Sequence, residues 1–109
     1  MGASQSSFSA NDYELVIKSS KELEYYLEEE FHARGKGLHE KVSSIESEIP
    51  SHLVKKMRYL ATIRNKLIHE RGFDAIPDRA SFIQTFEASR QELQQIIKNR
   101  NKNSSCVIS

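Results

Sequence analysis

Apolar residues recur along most of this chain at intervals of three and four, the period of one face of an α-helix. The first such stripe runs through Val16, Ser19/Ser20, Leu23, Leu27 and Phe31. Ser9-Ala10-Asn11-Asp12 offers a capping signal before it, so a helix is predicted to start near Asp12. "ARGKG" follows, and its two glycines are expected to break the helix. A shorter helix is predicted over about 37–48, from Leu38, Val42, Ile45 and Ile49, with Pro50 as its stop. Ser51 is the expected N-cap of a third helix over about 52–71, carrying Leu53, Met57, Leu60, Ala61, Arg64, Leu67 and Ile68. After the loop "RGFDAIPD", Asp78 is expected to cap a fourth helix over about 79–100. Its buried stripe would be Phe82, Phe86, Ser89, Leu93 and Ile96/Ile97.

Strands have no comparable signal. Apolar residues almost never alternate with period two, and no Asn-Gly or Asp-Gly hairpin turn occurs. The expected fold is all-α: a compact, antiparallel four-helix bundle with short connections. Residues 1–10 read as a polar, disordered lead-in, residues 11–100 as the helical domain, and 101–109 as a flexible tail.

The chain has 109 residues, enough for one domain with one core. A deep enclosed site besides that core is not expected, so function should sit on a surface groove or at a subunit interface. Formal net charge is +1, so bulk charge does not point to nucleic acid. Local charge does more. The first helix is rich in Glu, whereas the third carries Lys55, Lys56, Arg58, Arg64, Lys66 and Arg71, with Glu70 its only acid. The two helices either pair electrostatically, expose solvated faces, or use the basic side to attract a polyanion. In the last case Lys55, Lys56, Arg58, Lys66 and Arg71 would bind RNA.

Cys106 is the single cysteine, so no disulfide forms within one chain, which suits a reducing compartment. The apolar runs fall far short of a membrane span, and no signal-peptide pattern is seen, so the expected location is cytoplasmic. The four histidines lack metal-ligand spacing, and no glycine-rich phosphate loop is present, so neither a metal nor a cofactor is expected. His32 and His39, on either side of the glycine loop, are expected at the surface. Tyr25, Tyr26 and Tyr59 suit either base stacking or the edges of the core. Two terminal patterns match lipidation signals: "MGASQS" for myristoylation at Gly2 and "CVIS" for prenylation at Cys106.

One constellation carries chemistry. In "IRNKLIHE", Asn65 and His69 are four apart and share a helix face, with Arg64 beside them. An imidazole titrates near neutrality and can move protons at an RNA 2′-hydroxyl or a leaving 5′-oxygen. A guanidinium can hold a phosphate bidentately and stabilise charge in the transition state, and Asn65 can orient either. One histidine serves poorly as both acid and base, so two copies facing across a two-fold axis would complete such a site. The same residue types also suit a helix C-terminus, where cations complement the dipole and Asn and His can satisfy carbonyls.

"RNKLIH" has the form R-N-x-x-x-H and resembles the Arg-x(4–6)-His signature of the HEPN superfamily. Residues 57–93 also look like small bacterial HEPN-like proteins of unknown function. The resemblance implies a helical bundle that dimerises, here through the third and fourth helices. It also implies a metal-independent endoribonuclease or RNA-binding protein of the toxin or defence type, with Arg64, Asn65 and His69 in the catalytic site. A cognate inhibitor protein is a further implied partner. The sequence departs from one pattern: toxins silenced by nucleotidyl modification carry a tyrosine where Arg71 stands. Other members bind RNA or protein without cutting, so a non-catalytic helical interaction module is the alternative.

Overall fold

The computed structural model describes residues 10–108, with side chains to residue 101. Four helices make up the fold: α1 (Asp12–Phe31), α2 (Leu38–Ile45), α3 (Ser51–His69) and α4 (Arg79–Ile108). A single 3₁₀ turn, Glu46–Glu48, follows α2. No strand is present among the described residues. The all-helical reading is borne out. The last helix continues to Ile108, where the sequence placed its end near residue 100.

Local chemistry explains most boundaries. Asn11 caps α1, its side-chain oxygen accepting from the Glu14 N–H at 3.1 Å. Asp78 does the same for α4 through the Ser81 N–H at 3.0 Å. Ser51 does not cap α3; it is the first helical residue. Pro50 takes the cap position at φ −63°, ψ 148°, and its carbonyl accepts from both Leu53 and Val54 N–H at 3.1 Å. The glycines of "ARGKG" do not end α1 either. His32 ends it in the left-handed conformation, φ 58°, and the Ala33 N–H reaches back to the Leu27 carbonyl at 3.0 Å.

Residues 32–37 then run back along α1. The Arg34 N–H donates to Ser44 Oγ at 3.0 Å, and the Lys36 N–H donates to Glu40 Oε1 at 3.0 Å. Gly35 stands at φ 132°, and a Cβ there would collide with the Cβ of Glu40. Six extended residues span up to about 20 Å, enough to start α2 several turns back along α1.

This return sets the topology. Glu22 meets Arg90, Tyr26 meets Gln94, and the Glu30 carbonyl meets Arg100, so α1 and α4 run in the same sense. Tyr59 packs near Phe82 while His52 meets Glu92, so α3 runs against α4. Thr62 lies by His39 while Arg58 reaches Ser43 and Glu46, so α3 also runs against α2. α3 is therefore antiparallel to each of its neighbours, and α1 and α4 lie side by side in the same direction.

The core follows the predicted stripes, with one exchange. Leu53, Met57, Leu60, Ala61 and Leu67 of α3 are buried, and so is Ile63. Ile68 is 38% exposed. It continues the side of α3 that Ala61 occupies, but α2 has already ended its cover there. Phe82, Phe86, Ser89 and Leu93 are buried on α4, and Ile96 and Ile97 are partly buried.

Buried Lys41 ties α2 to α1. Its ammonium bonds the Gly35 carbonyl at 2.8 Å, Glu28 at 3.1 Å and Glu24 at 3.3 Å. Burial alone would lower its pKa; the two carboxylates outweigh that and raise it. At the other end, Asp12 accepts the Ile76 N–H at 2.9 Å and pairs with Arg79, closing the α3–α4 loop onto α1. The acids of α1 thus reach Lys41, Arg79 and Arg90, and none of the described ion pairs joins α1 to α3.

Two stability predictions result. Ser89 Oγ is buried with no hydrogen-bond partner among the described residues. Ser89→Ala should raise the unfolding free energy by about 1 kcal/mol, measured by urea denaturation. Burial pushes the Glu92 carboxyl pKa up, but Lys56 and His52 outweigh this and hold it below the ordinary range. A depressed carboxyl stabilises above its unfolded pKa and stops doing so as pH falls through its folded one. Glu92→Gln should therefore cost about 1 kcal/mol at pH 7, with the difference starting to shrink as pH falls below about 4 in thermal melts.

Candidate functional site

The last two turns of α3 hold the residues singled out from sequence. Asn65 and His69 are exposed, and together with Lys66 and Glu70 they line one open depression. Helical spacing puts Asn65 and His69 one turn apart on a common face. The helix stops at Glu70, whose backbone is extended (φ −92°, ψ 119°) while its N–H still donates to the Lys66 carbonyl at 2.8 Å.

Arg64 points elsewhere. It is half-buried and lines a groove of about 280 Å³ between α1, the return segment, the start of α2 and α3. Lys21, Glu24, Lys36, His39, Glu40 and Asn65 also line it. Arg64 Nη1 donates to Asn65 Oδ1 at 3.1 Å, and no carboxylate pairs with it among the described residues. Asn65 is thus the wall shared by both hollows. The structure joins Arg64 to Asn65 and Asn65 to His69, with Arg64 and His69 on either side of it.

The five basic residues assigned to RNA do not form one stripe. Lys55 and Lys66, eleven residues apart, differ by only about 20° around the helix and face solvent. Lys66 lies over the Phe73 ring, 5.6 Å from its centroid. Lys56 is held by Glu92 of α4. Arg58 is held by α2, bonding Glu46 at 2.9 Å and Ser43 at 3.0 Å. Arg71 is exposed in the loop after α3.

His39, expected at the surface, lies at the edge of the groove. It is half-buried against α3, with Nε2 3.2 Å from Thr62 Oγ1 and Nδ1 3.5 Å from Arg58 Nη1. Burial, and then the Arg58 charge, lower its pKa. That arrangement suits a neutral ring presenting its N–H to Thr62. Nothing in the local sequence marks this residue, because its neighbours arrive through the return segment. Lys21 and Lys36 reach the groove for the same reason.

Of the tyrosines, Tyr25 is 61% exposed, the Tyr26 hydroxyl accepts from Gln94 at 2.8 Å, and Tyr59 packs near Phe82. Among the described residues, no group of three or more His, Cys, Asp or Glu is placed to hold a metal ion. None of the described helices is long and apolar enough to cross a membrane. Gly2 and the Cys106 side chain lie outside the described residues. Comparison with protein-family models, curated proteins and solved structures finds no match for this chain.

Exposure at this helix end predicts a mutational signature. Asn65→Ala and His69→Ala should each change the unfolding free energy by less than about 0.5 kcal/mol in urea denaturation. A cost well above that for either would mark it as a support of the helix end.

Proposed function

We propose that this chain is a HEPN-type RNA-binding protein that cleaves RNA without a metal ion. One observation carries this reading: Asn65 and His69 share an open depression, and Arg64, in the groove on the other side of Asn65, donates to its side-chain oxygen at 3.1 Å. An accessible imidazole suits proton transfer at a phosphodiester, and a guanidinium across the Asn65 wall would have to turn toward the depression to hold the phosphate. Lys55, Lys66 and Arg71 would hold neighbouring phosphates. A second copy of the chain, packed against α3 and α4 across a two-fold axis, would bring its own set to a shared cleft. Toxin-like or defence activity and a cognate inhibitor belong to the same reading.

Cleavage would follow the usual course of RNA transesterification. A base removes the 2′-hydroxyl proton, and the 2′-oxygen attacks phosphorus. The 5′-oxygen leaves with a proton from an acid. The products are a 2′,3′-cyclic phosphate and a 5′-hydroxyl.

A non-catalytic interaction module remains the second reading, favoured by exposed Ile68 next to this end of α3. Incubation of mixed RNA with wild type and His69→Ala, in chelator, separates the two. Cutting by wild type that falls by at least about 100-fold in the variant supports cleavage. Equal cutting would remove His69 from the chemistry, and no cutting by either favours the interaction module.

A further inference from the structure

The proposed chemistry asks for two acid–base groups, and His69 is only one of them. Glu70 lines the same depression as His69 and Asn65. Residues 65, 66, 69 and 70 sit on consecutive turns, so the four share one stretch of the α3 surface. Glu70 closes the last turn, its N–H still donating to the Lys66 carbonyl at 2.8 Å, and the chain leaves the helix after it. Its carboxylate has no ion-pair or hydrogen-bond partner among the described residues. Lys66, one turn back and the natural counter-charge, lies over the Phe73 ring instead. Glu70 is also the only acid between Ser51 and Arg71, and it stands at the negative end of the α3 dipole. Neither helix formation nor charge pairing accounts for an acid there.

We infer that Glu70 is a catalytic base working with His69 of the same chain on an RNA 2′-hydroxyl. This rests on the RNA-cleaving reading and names the second group which that reading needs. The Glu70 carboxylate accepts the 2′-hydroxyl proton as the 2′-oxygen bonds to phosphorus. The P–O5′ bond breaks, and the leaving oxygen takes its proton from the His69 imidazolium. Proton and electron pairs balance without a metal or co-reactant. Water returns the proton from Glu70 to His69 after product leaves. In a two-fold dimer each depression would hold a full acid–base pair, and the second copy would contribute phosphate-holding cations.

The test compares wild type, Glu70→Gln and His69→Ala on one single-stranded RNA across pH. Binding is measured in parallel on the same oligonucleotide with 2′-deoxy substitution at the cut site. Wild type should show a bell-shaped rate profile, because one group acts deprotonated and the other protonated. Glu70→Gln should cut at least about 100-fold more slowly, lose the acid limb of the profile and bind the deoxy analogue as wild type does. Wild-type rate and profile in Glu70→Gln, with His69→Ala inactive, would overturn the role of Glu70 and leave the RNA-cleaving reading standing. A slower Glu70→Gln that keeps the acid limb, or whose loss follows weakened binding, would also overturn it. Wild type that cuts no RNA would overturn both together.

Discussion

The bundle depends on burying α3, which packs against all three other helices. Leu53, Met57, Leu60, Ala61, Ile63 and Leu67 give it an apolar side along nearly its whole length. Each large side chain buried there contributes roughly 1.5–3 kcal/mol, more than any of the surface ion pairs. Cover for that side is uneven. α4 runs far enough to match α3, but α2 has only eight residues. Its start, at Leu38 and His39, is level with Ala61 and Thr62. Beyond that point α3 has no α2 over it. Ile68, on the side an α2 of full length would shield, is exposed, and Arg64 faces a groove instead of a packed core. A shortage of cover therefore leaves a concave, polar end on a helix otherwise occupied with packing.

Polar ties decide where α2 starts. Lys41, Gly35, Ser44 and Glu40 fix the return segment, and a buried ammonium with two carboxylates allows little freedom in register. The same ties draw on the charges that sequence assigned to RNA. Arg58 is committed to α2 and Lys56 to α4. What remains for a polyanion is the solvent side of α3 and its last turn: Lys55, Lys66, Arg71 and the groove cations Lys21, Lys36 and Arg64. These cations are spread from Lys55 on the second turn of α3 to Arg71 after its end, and Glu24 and Glu40 share the groove with Lys21, Lys36 and Arg64.

Helix positions and most of the core were legible in the sequence because each rests on local periodicity and capping. Val16, Leu23, Leu27, Met57 and Phe82 follow from spacing alone, and so do the caps Asn11 and Asp78. The misses are non-local. Ile68 has the right spacing for burial, but its partner helix is too short, which no pattern within α3 records. Short connections suggested mostly antiparallel neighbours, which holds for α3, and six residues folded back along α1 place α1 and α4 in the same sense. His39 reads as a loop-side residue until that fold-back brings it to Thr62 and Arg58. Arg64, Asn65 and His69 were legible as a set. Their division between two hollows was not, because it depends on where α2 begins.

The helix-end explanation of this motif can be weighed against the contacts. Cations belong at a C-terminus, so Lys66 and His69 are accounted for by the dipole alone. Asn65 is not: its side-chain oxygen accepts from Arg64, and the terminal carbonyl of Lys66 is satisfied by the Glu70 backbone. Arg64 is not either: it is half-buried, donates to Asn65 Oδ1 and forms no ion pair among the described residues, although Glu24 and Glu40 line the same groove. Glu70 runs against the dipole. Three of the five polar residues from Arg64 to Glu70 therefore work against, or add nothing to, the stability of the helix they sit on. Local rules broken together at one accessible place are expected where a site is maintained for its chemistry. Capping therefore accounts for Lys66 and His69 and leaves Arg64, Asn65 and Glu70 unexplained, and those are the residues the proposed binding or catalytic use would account for.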